Sequence, residues 1–305
     1  MTSLTATPES RLARALVSLE GLSVGDAFGE RFFVHPASVQ LLIGERALPA
    51  PPWRYTDDTQ MALSIVAVLK QHDGIEQDGL AAHFGRHYDI SRGYGPAMHR
   101  LLPLIRSGKG WQRAAHDLFG GQGSYGNGSA MRVAPLGAYF ADDLDAAVKH
   151  ARRSAEVTHA HPEASAGAIA VAVAAAIACR SIEVPAFANP AAFLDAILAH
   201  VPESAVASGI QRARDLASDT PVAAAAQALG NGSRVTCQDT VPFTLWCAAR
   251  HLDSFEEAMW ATVSALGDRD TTCAIVGGIV ACATGSEGIP AEWRAARESL
   301  PDWRD

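Results

Sequence analysis

The sequence predicts an all-α protein, a single compact helix bundle over residues 1–305. Three observations carry this. Apolar residues recur at helical spacing in stretch after stretch, regular β alternation is almost absent, and no Pro-, Gly- or Ser-rich linker divides the chain. The 305 residues, 48% of them hydrophobic, suffice for one large buried core.

In chain order, residues 1–9 have neither the basic start nor the apolar centre of a signal peptide and are expected to be flexible. Residues 12–28 form an apolar-periodic stretch broken by Gly21, Ser23 and Gly25, small residues that allow close helix approach. Two apolar runs, 32–34 and 39–42, are too short to assign. Helices are predicted over 59–71, 79–88, 96–107, 144–158, 162–179, 191–200, 203–217, 221–229, 241–251, 254–266 and 272–283. The most apolar of these runs from Ala164 to Cys179; it is Ala-rich, short for a bilayer span, and reads as a core helix.

The net charge of −8 argues against non-specific nucleic-acid binding and against an anionic membrane surface, both of which want basic faces. A phosphate-bearing small ligand needs only a few local donors and stays allowed. The five cysteines form no C-x-x-C pair and read as buried thiols of a reducing, cytoplasmic setting.

Two acidic clusters stand far apart, Thr56-Asp57-Asp58-Thr59 and Asp268-Arg269-Asp270-Thr271, each opening an apolar helix. Either alone reads as helix capping, because Thr and Asp suit the first turn. Together they offer four carboxylates with hydroxyls, hard oxygen ligands that suit Mg²⁺, Mn²⁺ or Ca²⁺ better than Zn²⁺. At about 5 Å spacing each like-charge pair costs roughly 3 kcal/mol at an effective dielectric near 20, so bound cations would make the cluster tolerable. Two metals fit four carboxylates better than one.

Three further stretches carry polar groups. Gly25-Asp26-Ala27-Phe28-Gly29-Glu30 reads either as a Gly-capped helix end or as a supporting acid, Asp26, beside a metal-facing Glu30. The glycine-rich run from Phe119 through Gly123, Ser124, Tyr125 and Asn127 to Arg132 could cradle phosphates on backbone N–H groups, with Phe119 and Tyr125 flanking an adenine or ribose; it lacks a Walker lysine. Arg92-Gly93-Tyr94 forms an aromatic and cationic turn. In Thr158-His159-Ala160-His161, His159 reads as a substrate hydrogen-bonder or a satisfied junction histidine, and His161 as structural.

In this order the stretches resemble the ADP-ribosylglycohydrolase family: Gly25-Asp26-Ala27-x-Gly29, Thr56-Asp57-Asp58-Thr59, the Gly/Asn loop ending Ala130-Met131-Arg132, Thr158-His159 and Asp268-x-Asp270-Thr271, over nearly the full chain. The resemblance implies an orthogonal all-α bundle with a central binuclear cleft holding two Mg²⁺, with Mn²⁺ an alternative. It implies metal ligation by Thr56, Asp57, Asp58, Asp268, Asp270 and Thr271. It implies ADP-ribose contacts from Phe119, Gly123, Ser124, Tyr125, Asn127 and His159, and adds Arg92, Gly93 and Tyr94 as substrate-side candidates. The expected reaction is hydrolysis at C1″ of ADP-ribose in a modified protein or small-molecule conjugate, with Asp57 and Asp270 central to catalysis. The Phe119 to Asn127 spacing looks closer to the branch acting on O-linked, including serine-linked, ADP-ribose, with the arginine-linked branch as rival.

Two positions depart from the family pattern. Where its members of that branch usually place a catalytic glutamate, seven residues after the Asp of Gly-Asp, this chain has Phe33. Glu30 is then the nearest acid/base candidate. Leu266 stands where the family commonly has a glycine. A non-catalytic ADP-ribose binder and a toxin-immunity factor are the alternatives; the latter would need a protruding element, for which residues 218–240 are the candidate.

Overall fold

A computed structural model describes residues 7–181 and 189–302. The helices are α1 (Pro8–Glu30), α2 (Pro36–Gly44), α3 (Asp57–His72), α4 (Gln77–His87), α5 (Pro96–Arg106), α6 (Trp111–His116), α7 (Leu118–Gly121), α8 (Ala134–Tyr139), α9 (Leu144–Glu156), α10 (Pro162–Arg180), α11 (Pro190–Leu198), α12 (Ala205–Asp215), α13 (Val222–Leu229), α14 (Cys237–Arg250), α15 (Phe255–Ser264), α16 (Arg269–Thr284) and α17 (Ala291–Ala296). Among the described residues there is no strand, only two isolated bridges, Trp53 with Arg297 and Gly126 with Thr236. The expected all-α class is observed.

Residues 1–6 of the segment expected to be flexible lie outside the described part. Helix α1 begins at Pro8, where the Thr7 hydroxyl accepts the Ser10 N–H. The run 39–42, too short to assign by pattern, is the body of α2 rather than a strand. His35 caps that helix through Nδ1, and Pro36 pre-sets its first turn.

Three helices form the centre. In α10 every residue from Ala166 to Ala178 is buried, and it packs on α8, α9, α11, α12, α14 and α16. The small Ala side chains let six neighbours approach one helix. Helices α1 and α16 lie against each other along a stripe of small residues. A Cβ built at Gly21 would stand 2.4 Å from the Gly277 carbonyl oxygen, at Gly25 2.2 Å from that of Cys273, and at Gly29 2.1 Å from that of Arg269. Only glycine permits that contact. The stretch is the C-terminal end of α1, as the first of its two readings has it, but without a glycine cap: α1 runs unbroken through Gly25 and Gly29 to Glu30, and Arg31 takes the C-cap position. The close approach sets Asp26 and Glu30 beside the N-terminus of α16.

Behind the end of α1, Phe28 stacks on Trp293 with ring centres 4.5 Å apart and meets Trp260 edge-on at 5.2 Å. This buried aromatic block anchors the last turn of α1.

Candidate active site

The two acidic clusters sit at the starts of α3 and α16, and these helices touch. Neither start is capped by its own side chain. Thr56 holds the N-cap position of α3 without a side-chain cap bond, and Asp268 does the same for α16. The capping is done from another helix. Fully buried Asp26 of α1 accepts the backbone N–H groups of Thr56, at 2.9 Å, and Thr59, at 3.1 Å. It also accepts both threonine hydroxyls, at 2.8 and 2.5 Å. With the Thr56 and Thr59 N–H groups satisfied this way, neither Asp57 nor Asp58 is needed to cap them.

What remains is a concentrated acidic pocket. Asp57, Asp58, Asp268 and Asp270 all have carboxyls pushed above their ordinary range, first by burial and, for Asp57, Asp58 and Asp270, also by the neighbouring carboxylates. Asp57 rises to about 8, and Asp26 to about 6, where burial outweighs its four hydrogen bonds. Asp58 and Asp270 repel each other across the α3–α16 junction. Oδ1 of Asp58 and Oδ1 of Asp270 are both buried without a hydrogen-bond partner. Among the described residues no three His, Cys, Asp or Glu side chains converge closely enough to hold an ion as they stand. Two orphaned carboxylate oxygens in one acidic pocket are nonetheless the atoms a hard cation would satisfy, so the donor set fits Mg²⁺ or Mn²⁺. The Thr56 and Thr271 hydroxyls, on buried residues, complete it.

Asp268 is held by a tetrapeptide that occurs twice, Gly126-Asn127-Gly128-Ser129 and Gly230-Asn231-Gly232-Ser233. The Asn127 amide donates to Asp268 Oδ2 at 2.7 Å and to the Thr240 hydroxyl at 3.0 Å. The Asn231 carbonyl accepts the Asp268 N–H at 3.1 Å. Gly232 lies so close that a Cβ would come 2.6 Å from Cβ of Asp268. Residues 218–240 are therefore no protruding arm: they fold as α13, packed on α12, α14 and α15, and as a wall of the site.

Glu30, the last residue of α1, is half-buried, and its carboxyl is raised by burial and then by the charge of Asp26. Phe33 lies half-exposed under the Arg269 guanidinium, 4.2 Å from ring centre to Cζ, while Arg269 donates to the Phe32 carbonyl at 2.6 Å. The position of the family's usual glutamate is thus taken by an aromatic ring latched to α16. Leu266 adopts the left-handed conformation, φ 59°, which explains why a glycine suits that place.

The other predicted residues divide into two groups. Arg92 is committed to the scaffold: it donates to the Tyr55 carbonyl at 2.9 Å, pairs with Glu298, and lies over the Tyr55 ring. The Tyr94 hydroxyl is likewise engaged, donating to Gln60 at 2.8 Å. Gly93 borders the acidic pocket, since a Cβ there would reach within 3.9 Å of Asp57 Oδ1. Phe119 and Tyr125 are exposed rings 6.4 Å apart and 26° from parallel. Gly123 carries the positive φ, 72°, that turns the loop, and the Ser124 hydroxyl accepts the Gly126 N–H. His159 is buried beside Gly126 and Gly128, and burial lowers it to about 3, with Arg132 adding to the effect. His161 caps α10, its Nδ1 accepting the Glu163 N–H.

Sequence reasoning missed Asn231, for which the repeated Gly-Asn-Gly-Ser was the available signal. Thr59 and Arg132 stand in the recognised motifs, but without an assigned role; Arg132 is fully buried and bonds the Ser154 carbonyl and the Thr158 hydroxyl.

Comparison with known proteins supports the same assignment. The family model for ADP-ribosylglycohydrolase matches residues 7–305. ADP-ribosylhydrolase ARH3 of Bos taurus is 28% identical over 283 residues, covering 81% of this chain and 75% of that protein. The Homo sapiens ARH3 is 26% identical, covering 95% and 91% respectively. ADP-ribosylarginine hydrolase Tri1 of Pseudomonas putida is 25% identical over 95% of this chain and 75% of its own. A solved structure titled ADP-ribosylglycohydrolase-related protein complex superposes with a TM-score of 0.59 at 25% identity, covering 95% of this chain and 94% of that one. The chain belongs to the ADP-ribosylglycohydrolase family and is a glycosyl hydrolase.

Proposed function

We propose that the protein hydrolyses the C1″ glycosidic bond of ADP-ribose in an ADP-ribosylated protein or small-molecule conjugate, with two Mg²⁺ (or Mn²⁺) held by Thr56, Asp57, Asp58, Asp268, Asp270 and Thr271. The observation that carries the reading is the pair of orphaned buried oxygens on Asp58 and Asp270, facing one acidic pocket from two helices. When bound, the metals supply sugar-hydroxyl ligation and polarisation of water.

The chain's own residues do the rest. Asp26 orients the first turn of α3, and Asn127 orients Asp268. Phe119 and Tyr125 flank the adenine, the Gly123–Tyr125 loop offers backbone N–H groups to phosphate, and His159 donates to the nucleotide. Glu30 serves as acid/base: burial and then the Asp26 charge raise its pKa above the ordinary carboxylate value, the direction that favours a proton-donating carboxyl. The bond breaks through an oxocarbenium-like transition state.

The spacing from Phe119 to Asn127 supports O-linked, serine-type acceptors ahead of arginine. Five free cysteines fit a cytoplasmic setting. A silent ADP-ribose binder is the second reading, favoured by Phe33 where the family's glutamate is usual. Peptides ADP-ribosylated on serine, arginine and glutamate, assayed with Mg²⁺ and with EDTA, separate these readings. Release from the serine peptide with Mg²⁺ alone supports the proposal; binding of ADP-ribose without release from any peptide supports the binder.

A further inference from the structure

Beside the acidic pocket lies a buried cation that neither metal ligation nor hydrolysis accounts for. Arg132 is 0% exposed, and among the described residues no carboxylate forms an ion pair with it, although the charge of Asp57 reaches it through the protein interior. Nη2 donates to the Ser154 carbonyl and to the Thr158 hydroxyl, both at 2.9 Å, Nη1 meets the Met61 sulfur at 3.4 Å, and the guanidinium lies 4.6 Å from the Phe84 ring centre. The Thr158 hydroxyl is in turn 2.7 Å from Nδ1 of His159.

We propose that Arg132 and Thr158 are positioning residues that fix the His159 proton on Nε2 and aim that N–H at the bound nucleotide. The direction of the chain follows from donor chemistry. A guanidinium only donates, so the Thr158 oxygen accepts from Arg132. The Thr158 oxygen could accept a second bond, but His159 Nδ1 is the one partner among its hydrogen bonds that can take the hydroxyl's own proton, so the hydroxyl donates to Nδ1. An imidazole with Nδ1 as acceptor carries its single proton on Nε2.

The backbone N–H of His159 donates to the Ala155 carbonyl at 2.8 Å. The glycine loop packs against the ring: a Cβ at Gly128 would stand 2.8 Å from Cε1 and 2.9 Å from Nε2, and one at Gly126 3.3 Å from Nε2. Nε2 therefore faces the loop at Gly126 and Gly128, on either side of Asn127. Burial and the nearby Arg132 charge keep the ring from taking a second proton near neutral pH, so it acts as a directed donor and not as a cation.

The inference rests on His159 contacting ADP-ribose, and the test separates the two. The ¹⁵N NMR spectrum of the His159 ring in the full chain, with and without ADP-ribose, reads the tautomer directly. Wild type and Thr158→Ser are expected to show the Nε2–H form, and Thr158→Val to shift toward the Nδ1–H form. ADP-ribose affinity should fall about tenfold in Thr158→Val and stay within about threefold in Thr158→Ser, as expected for one directed hydrogen bond. An Nδ1–H ring in wild type, or Thr158→Val with unchanged tautomer and affinity, overturns the proposal; the wild-type spectrum decides even if Thr158→Val does not fold. His159→Ala is expected to weaken ADP-ribose binding. Unchanged affinity in that variant overturns the contact, while an Nε2–H wild-type ring would still uphold the relay.

Discussion

Asp26 on α1 grips Thr59 on α3 twice, its Oδ2 accepting the Thr59 backbone N–H at 3.1 Å and the Thr59 hydroxyl at 2.5 Å. It grips Thr56 in the same way. Asp57 and Asp58 lie between the two gripped residues, so one carboxylate on a neighbouring helix sets the turn from which both project. The first acidic cluster of the sequence is thus held by a residue some thirty positions earlier and is not its own cap.

Asp26→Asn preserves shape but leaves a single acceptor oxygen for four donors. The variant should lose about 2–3 kcal/mol of stability, the scale of stranded buried donors, together with its turnover. Urea unfolding beside an activity assay measures both. Wild-type values in each would contradict the grip.

Asp58→Asn and Asp270→Asn each remove a negative charge from a pocket crowded with carboxylates. Without divalent cation these variants should melt at or above the wild-type temperature. Wild type should gain about 2.7 kcal/mol from Mg²⁺ at a hundredfold excess over its Kd, and the variants far less. Thermal melts with and without Mg²⁺ distinguish this outcome from a simple loss of folding.

Glu30→Gln should lower kcat by about 10²- to 10⁴-fold, the range of a lost acid/base group, while ADP-ribose affinity changes little. Steady-state kinetics and ADP-ribose titration separate the two quantities. Unchanged kcat would send the proton-transfer role elsewhere.

Much of the architecture was legible in the sequence because long amphipathic or Ala-rich stretches, such as Pro162–Arg180, carry their period openly. Short helices were not: Trp111–His116, Ala134–Tyr139 and Ala291–Ala296 span fewer than two full turns. Helix α2 has nine residues and an apolar run, Val39 to Ile43, interrupted only at Gln40, so strand and helix looked alike. At the site, the residue types of both clusters were readable, but their geometry was not. That Asp26 caps α3, that Asn231 holds Asp268, and that Arg92 is tied to Glu298 are contacts between distant segments, invisible to local patterns.

Gly25→Ala and Gly29→Ala test how the fold positions the site. Each new methyl would meet an α16 carbonyl oxygen at 2.2 or 2.1 Å, so α1 and α16 must separate, at about 1–3 kcal/mol each for overpacking. Gly44→Ala, where a Cβ meets nothing within 4 Å, is the control. Chemical denaturation of the three variants reads the contrast; equal stability among them would refute the backbone-to-backbone contact.

His159 gives a pH dependence of defined sign. Its folded value is lowered from 6.5 to about 3, so between these values the unfolded chain binds more protons than the native one. Its contribution is fully present above about pH 6.5 and is lost as pH falls toward 3, at up to about 1.4 kcal/mol per pH unit. Urea unfolding at pH 7 and pH 5 should show a smaller acid loss for His159→Gln than for wild type. Equal losses would mean the ring titrates normally.

The central claim is that Asp57 and Asp58 on α3 and Asp268 and Asp270 on α16 form one metal-dependent hydrolytic centre. It is tested most directly by release of ADP-ribose from a serine-ADP-ribosylated peptide, before and after EDTA dialysis and after return of Mg²⁺. The account predicts that turnover vanishes on dialysis, returns with Mg²⁺ in wild type, and does not return in Asp270→Asn. Full turnover by the EDTA-dialysed protein would contradict it.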